Sequence, residues 1–399
     1  MGGRARHILF AACLVAPMAI GGKAAAESAS SGAIQTPNLV IGNSLLQLSI
    51  DAYGAAYAES QSGGRDRQGV TGALLLQPEL GHPFENGWVI GVRTAFLVHH
   101  DRLSGDNYGN DVIEKAYAYL ETAYGRIEAG QQDGAAYKLE ATGPLVAGPP
   151  AIDDANVTFY IDPSTGAAFT NIFPVRTGVF ATSNDAKISY YSPRSVDLQI
   201  GISFTPSETK GFPFLSHSDE HQNVQRDITE AGANYVHGFG RITTHAYAGL
   251  ALGWIENRTP RHRNALDWAV GGQVDYDLHW GLLSAGGAYR QTRGYAFDID
   301  QSLSHGSTRA VHLTTRLTKG PWQFGFEYSS ATAGAEPEAG LPELTEEGCE
   351  PLVGYTLNPN LQLALGYQHL MYERSTGAFY NGKPNVSLNA GFLYFEFRV

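Results

Sequence analysis

The sequence of 399 residues predicts an all-β fold, one antiparallel transmembrane barrel of about sixteen strands. Three observations predict this fold. Apolar and polar residues alternate along many segments, and the connections between those segments alternate between short turns and long loops. Beyond the N-terminal region, no apolar run reaches the ~20 residues that a membrane-spanning helix needs.

The alternation is clearest from Val196 to Phe204, where every second residue is apolar. Ile242 to Trp254 and Leu266 to Tyr276 repeat it with few exceptions. Successive side chains of a strand point to opposite faces, so each segment has an apolar face for lipid and a polar face for the lumen. The strands are predicted to begin near Ser44, Gly69, Trp88, Glu114, Gly125, Ala186, Val196, Gly232, Ile242, Asn264, Gly281, Thr308, Pro321, Gly348, Leu361 and Val386.

The connections between these segments differ in length in a regular way. Short turns are predicted around residues 124–125, 192–194, 239–241, 278–280, 319–321 and 358–360. Longer polar loops fall between them, at roughly 100–111, 133–185, 207–230, 292–307, 331–347 and 374–385. Short turns at one end and long loops at the other are typical of bacterial outer-membrane barrels. An even number of strands places both termini on the side of the short turns.

The N-terminus is predicted to be an export signal covering residues 1–26. Arg4 and Arg6 precede an apolar stretch from Ile8 to Ile20, and small residues follow at 24–26, which is the order of a cleaved signal peptide. Residues 27–43 are then a short lead-in, and residues 44–399 form the barrel.

Charge and cysteine content exclude other classes of protein. The formal net charge is −12, which argues against a nucleic-acid partner because phosphate binding needs a basic face. Cys13 lies in the predicted signal, so Cys349 is left alone and no intrachain disulfide is expected.

Aromatic residues concentrate near the predicted strand ends, as in the girdles of membrane barrels. They are Trp88, Phe96, Trp254, Trp268, Trp280, Trp322, Phe392 and Tyr394. The alternative, a soluble β-sandwich core, is disfavoured because a sandwich of about sixteen strands would be unusually large. In the last strand the apolar residues shift from one set of alternate positions to the other after Gly391, which indicates a bulge or a different strand boundary.

Four stretches carry a resemblance to the Gram-negative general porin family, and this resemblance extends over essentially the whole chain after the signal. EKAYAYLETAYGRIEAGQQ resembles the family's strand-turn-strand motif, and LLQLSIDAYGAAYAE its first strand. RSVDLQIGISFTPS resembles the strand after its third loop, and GFLYFEFRV its C-terminal strand. Two positions depart from the family pattern, since Gln131 stands in place of an arginine and Val399 in place of Phe or Trp.

The resemblance implies a channel in the outer membrane of a Gram-negative bacterium, through which small hydrophilic solutes and ions diffuse passively. It implies a homotrimer in which the second loop (residues 99–111) contacts a neighbouring subunit. Outer-membrane lipids and lipopolysaccharide would surround the trimer. The third loop, here residues 133–185, would fold inward and narrow the lumen.

We expect the narrowest part of the channel to lie between acids of this loop and bases of the wall. A charge facing hydrocarbon near the midplane costs ~2–4 kcal/mol. Basic residues that alternate with the apolar residues of a strand should therefore face the lumen. Opposed charges then decide ion preference, and the acidity of the chain favours a mild preference for cations. The candidate constriction residues are Asp153, Asp154 and Asp162 in the loop and Arg93, Arg126, Lys187 and Arg316 in the wall.

Other functions stay open as alternatives. A channel specific for a sugar or an anion is one, and Tyr53, Tyr57, Tyr117 and Tyr119 would suit sugar stacking if they line the pore. An outer-membrane enzyme or an adhesin is another, although the sequence has no nucleophile-elbow, zinc-protease, P-loop or dinucleotide motif, and no cofactor is expected. The HSDEH stretch at His217–His221 is either a divalent-metal ligand set or a solvated loop tip.

Overall fold

The computed structural model describes residues 38–64, 66–100, 113–148, 151–152, 159–160, 163, 177–182, 185–207, 225–255, 264–293, 307–334 and 342–399. No helix within these ranges is long and apolar enough to cross a membrane. Their regular elements are the strands β1 (Asn38–Ile41), β2 (Ser44–Gln61), β3 (Arg67–Pro83), β4 (Val89–His100), β5 (Ile113–Thr122), β6 (Gly125–Gln131), β7 (Ala186–Tyr191), β8 (Leu198–Ser207), β9 (Gln225–Phe239), β10 (Ile242–Ile255), β11 (Ala265–Asp277), β12 (Leu282–Arg293), β13 (Ser307–Lys319), β14 (Trp322–Ala333), β15 (Leu344–Asn358), β16 (Leu361–Arg374) and β17 (Asn385–Arg398), with the helix α1 (Ala135–Lys138) between β6 and β7.

The strands form one antiparallel sheet that closes on itself. Each strand from β2 to β17 pairs with the next along the chain, and β17 returns to β2 with Arg398 opposite Asp51. The predicted barrel of sixteen strands is therefore confirmed. The additional strand β1 lies within the predicted lead-in and forms a hairpin with β2, where Asn38 lies opposite Gln47.

The two ends of the barrel differ. We call the end with the short turns the turn side and the opposite end the loop side. The start of β2 and the end of β17 both lie on the turn side, where the backbones of Ile50 and Val399 exchange two hydrogen bonds of 2.9 Å. Most predicted strand starts lie within two residues of those observed.

Two strand starts were wrong. β9 begins at Gln225 and not near Gly232, and β15 begins at Leu344 and not near Gly348. The missed residues are mostly polar on both faces, as at Arg226–Asp227 in β9 and Glu346–Glu347 in β15. Hydrophobic alternation is therefore absent there, although both segments pair with the neighbouring strands, β9 with a bulge at Asp227–Ile228.

Apolar side chains occupy the outward face of the barrel. Val92, Ile202, Leu252 and Phe326 are each about half exposed, while the polar residues between them face inward. Lipid covers such a face in a membrane barrel.

The last strand corrects two predictions. β17 pairs with β16 without a break from Asn385 to Phe397, so there is no bulge near Gly391. Phe392 and Tyr394 are 2% and 1% exposed and belong to an interior cluster, not to an aromatic girdle. Their inward face is apolar because it packs against Phe159 of the third loop.

Candidate pore constriction

The third loop turns into the barrel immediately after β6. Ala135 and Ala136 of α1 are fully buried. The amide of Ala135 donates to Ser203 Oγ of β8 at 3.0 Å, and Asn234 Nδ2 of β9 donates to the carbonyl of Leu139 at 3.0 Å. The first segment of the loop therefore lies on the inner faces of β8 and β9.

The loop continues along the inner wall toward the end of the chain. Arg316 of β13 donates to the carbonyl of Leu145 at 2.7 Å, and the Gln362 amide of β16 donates to the carbonyl of Val146. The amide of Ile152 donates to Glu327 of β14 at 3.3 Å. Side chains of the wall thus satisfy backbone groups of the loop that would otherwise be buried without partners.

Glycines of the inner wall make room for this path. A Cβ atom at Gly271 would lie 2.5 Å from the carbonyl oxygen of Ala141, and one at Gly232 would lie 2.8 Å from that of Ala135. Real Cβ atoms do not approach oxygen so closely, so side chains at these positions would displace the loop. Other wall glycines beside the loop are Gly201, Gly286, Gly325, Gly348 and Gly354.

An aromatic contact holds the far part of the loop. Phe159 and Tyr160 are fully buried. The Phe159 ring lies 5.0 Å from that of Tyr57 in β2 and 5.1 Å from that of Phe392 in β17. The Tyr160 hydroxyl donates to the carbonyl of Gln368 at 3.2 Å. The described parts of the loop therefore contact the wall from β8 round to β2.

Lys187, a predicted constriction residue, lies at the base of the loop and is 3% exposed. Its ammonium contacts the carbonyl of Gln132, where the loop begins, and that of Thr182, near its end, at 3.4 Å. The Thr182 hydroxyl donates to the buried carboxylate of Glu230, which also attracts Lys187 electrostatically. We call these four residues the loop clamp, because they join the two ends of the loop.

The inner face of β2 to β6 between the turn side and these loop contacts, which we call the open wall, carries partly exposed charges. Arg93 Nη2 donates to Gln77 Oε1 at 2.8 Å, and its Nη1 lies 3.6 Å from Glu79. Arg126 Nε donates to Glu128 at 2.8 Å, and its guanidinium lies 3.9 Å from the centre of the Tyr119 ring. Acids and bases therefore alternate along this wall.

Lys138 at the end of α1 was not predicted from the sequence. Its ammonium lies 2.6 Å from Glu128 and 4.7 Å from the centre of the Tyr117 ring. Burial lowers the pKa of Lys138, and the Glu128 carboxylate opposes this shift. The available signal was the position of Lys138 in a loop expected to fold inward.

The other predicted residues fall into two groups. Asp153, Asp154, Asp162, residues 101–111 of the second loop and His217–His221 lie outside the described residues. Arg316 contacts the loop backbone, and Tyr57 and Tyr119 are covered by Phe159 and Arg126. Among the described residues, no group of three or more His, Cys, Asp or Glu side chains is placed to hold a metal ion.

Solved structures share this fold at low sequence identity. Salmonella typhi OmpF in complex with daunomycin has a TM-score of 0.57 at 13% identity, covering 90% of this chain and 100% of that chain. The anion-selective porin from Comamonas acidovorans has a TM-score of 0.54 at 11% identity, covering 89% and 100%. In-vitro folded OmpT of Vibrio cholerae, in a trimer form, has a TM-score of 0.52 at 10% identity, covering 89% and 99%.

Sequence comparison identifies the family. No curated protein matches the chain. The family described as Gram-negative porin matches residues 11–398, which is nearly the whole chain. With the closed barrel and the third loop inside it, this match establishes that the chain belongs to the Gram-negative porins, outer-membrane proteins that form channels for passive diffusion.

Proposed function

We propose that water and small hydrophilic solutes pass between the third loop and the open wall. The observation that carries this proposal is a contrast in burial. The side chains of Arg93 and Glu79 on the open wall are 36% and 25% exposed. Ser284 and Asp267, inward-facing residues of the wall beneath the loop, are fully buried.

The charges along this path would set its selectivity. Arg93 and Arg126 supply positive charge, and each has a carboxylate beside it. Asp153, Asp154 and Asp162 are proposed as the facing acids of the loop. Such paired charges give a weak overall ion preference, which we take to be for cations because the chain is acidic.

The remaining proposals concern chemistry and assembly. We infer a channel without catalytic activity, since the buried ionisable residues described above hold the third loop to the wall. A homotrimer is proposed because the similar OmpT structure of Vibrio cholerae is a trimer form. The outward apolar face would contact membrane lipids, and its loop side would contact lipopolysaccharide.

Conductance in a planar bilayer tests the channel and its path together. The full-length protein, refolded and inserted, is expected to give current steps in groups of three and a small reversal potential of cation sign. Arg93→Gln should shift that potential further toward cations, because it removes a partly exposed positive charge. Lys383→Gln, which changes an exposed residue between β16 and β17, serves as the control. An inserted barrel without current would contradict the proposal.

A further inference from the structure

A cavity of about 340 Å³ opens at the turn side of the open wall. Ligand sites in proteins begin at about this volume. It lies where β17 closes against β2, and β3 completes its wall. The residues that line it are Asp51, Ala52, Tyr53, Leu75, Glu396 and Arg398.

The charges in this cavity have unused hydrogen-bonding capacity. The side chain of Arg398 is 66% exposed and lies 3.8 Å from Asp51 and in contact with Glu396. A guanidinium has five N–H donors, so it can donate hydrogen bonds to a further carboxylate. Asp51 is 30% exposed and accepts from the amide of Gln77, which leaves other lone pairs for a cationic group.

The lining therefore combines one base, two acids and an apolar side. We propose that this cavity is a binding subsite for small α-amino acids in their zwitterionic form. The carboxylate of the ligand binds Arg398, its ammonium binds Asp51 and Glu396, and its side chain packs against Tyr53 and Leu75. Neither a neutral solute nor a simple ion satisfies both signs of charge at once.

The subsite leads directly into the proposed path. Gln77, which contacts Asp51, also accepts a hydrogen bond from Arg93 at 2.8 Å. A zwitterion that leaves the cavity along the wall thus meets Arg93 and Glu79, a second pair of opposite charges. This inference rests on the proposed path along the open wall, and its test must separate the two.

Liposome swelling with two isomers provides that separation. Alanine and lactamide have the same atoms, but only alanine is a zwitterion. In liposomes carrying the full-length protein, we expect alanine to enter roughly threefold faster or more, a modest case of local concentration by a charged cleft. Arg398→Gln and Asp51→Asn should each bring the ratio of the two rates close to one. Arg241→Gln, in the turn between β9 and β10, is the matched control and should leave the ratio unchanged, because Arg241 contacts the carbonyl of Asp277 and the Tyr276 ring away from the cavity.

The outcomes are distinct. Equal entry of both isomers into wild-type liposomes would overturn the subsite and leave the channel intact. A preference for alanine that survives both Arg398→Gln and Asp51→Asn would also overturn it. If neither isomer entered the liposomes, the channel itself would be contradicted. Heat-modifiable migration in gel electrophoresis shows that each variant is folded.

Discussion

Lys187→Met is expected to loosen the third loop and enlarge the channel. The ammonium of Lys187 binds backbone carbonyls at both ends of the loop, and the nearby Glu230 carboxylate favours its charged form electrostatically. A hydrogen bond from a charged group typically contributes about 1.5–3 kcal/mol, and Lys187→Met leaves both carbonyls without their donor. Single-channel recording should show a larger current with frequent fluctuations, and the barrel should lose its folded gel mobility at a lower temperature.

Lys319→Met is the matched control for this prediction. Lys319 lies at the end of β13 on the turn side, where its ammonium is 5.4 Å from the centre of the exposed Trp280 ring. The Lys319→Met substitution removes the same charge at a position away from the loop, and we expect wild-type current and stability. If Lys187→Met conducted like the wild type with an unchanged melting temperature, the loop clamp would not hold the loop.

Phe159→Ala is expected to release the far part of the loop. The Phe159 ring is fully buried between Tyr57 and Phe392, and removal of a buried aromatic ring costs about 3–5 kcal/mol. The expected result is a larger and noisier current, because the loop would no longer be held against β2 and β17. Calorimetry or gel mobility against temperature measures the loss of stability.

Phe84→Ala controls for the loss of a phenylalanine elsewhere. Phe84 lies in the turn between β3 and β4 and is 45% exposed. Its replacement should change neither current nor melting temperature. Wild-type current in Phe159→Ala would mean that the aromatic contact does not position the loop.

Local patterns in the sequence predicted the barrel well. Alternation placed Arg93 and Arg126 on the inner face because strand geometry requires it, and most strand starts followed from the turns. The starts of β9 and β15 could not be found this way, since polar residues such as Arg226 and Glu347 occupy both faces there.

The path of the third loop could not be predicted, because it depends on contacts between residues far apart in the chain. The alternation of inward and outward positions along a strand does not distinguish Arg93, which is partly exposed, from Lys187, which the loop covers. The sequence did not show that Gly232 and Gly271 make room for the loop. That role depends on which loop atoms pack beside each glycine in the folded barrel. The apolar inner face of β17 was misinterpreted for the same reason, since Phe392 packs against Phe159.

Thiol accessibility tests most directly which wall the water path follows. In a Cys349→Ser background, single cysteines are introduced by Arg93→Cys on the open wall and by Ser284→Cys beneath the loop. A charged methanethiosulfonate reagent is then added during single-channel recording. We predict rapid modification at position 93 with a stepwise change in current, and no change at position 284. Rapid modification at position 284 with no effect at position 93 would contradict a water path along the open wall.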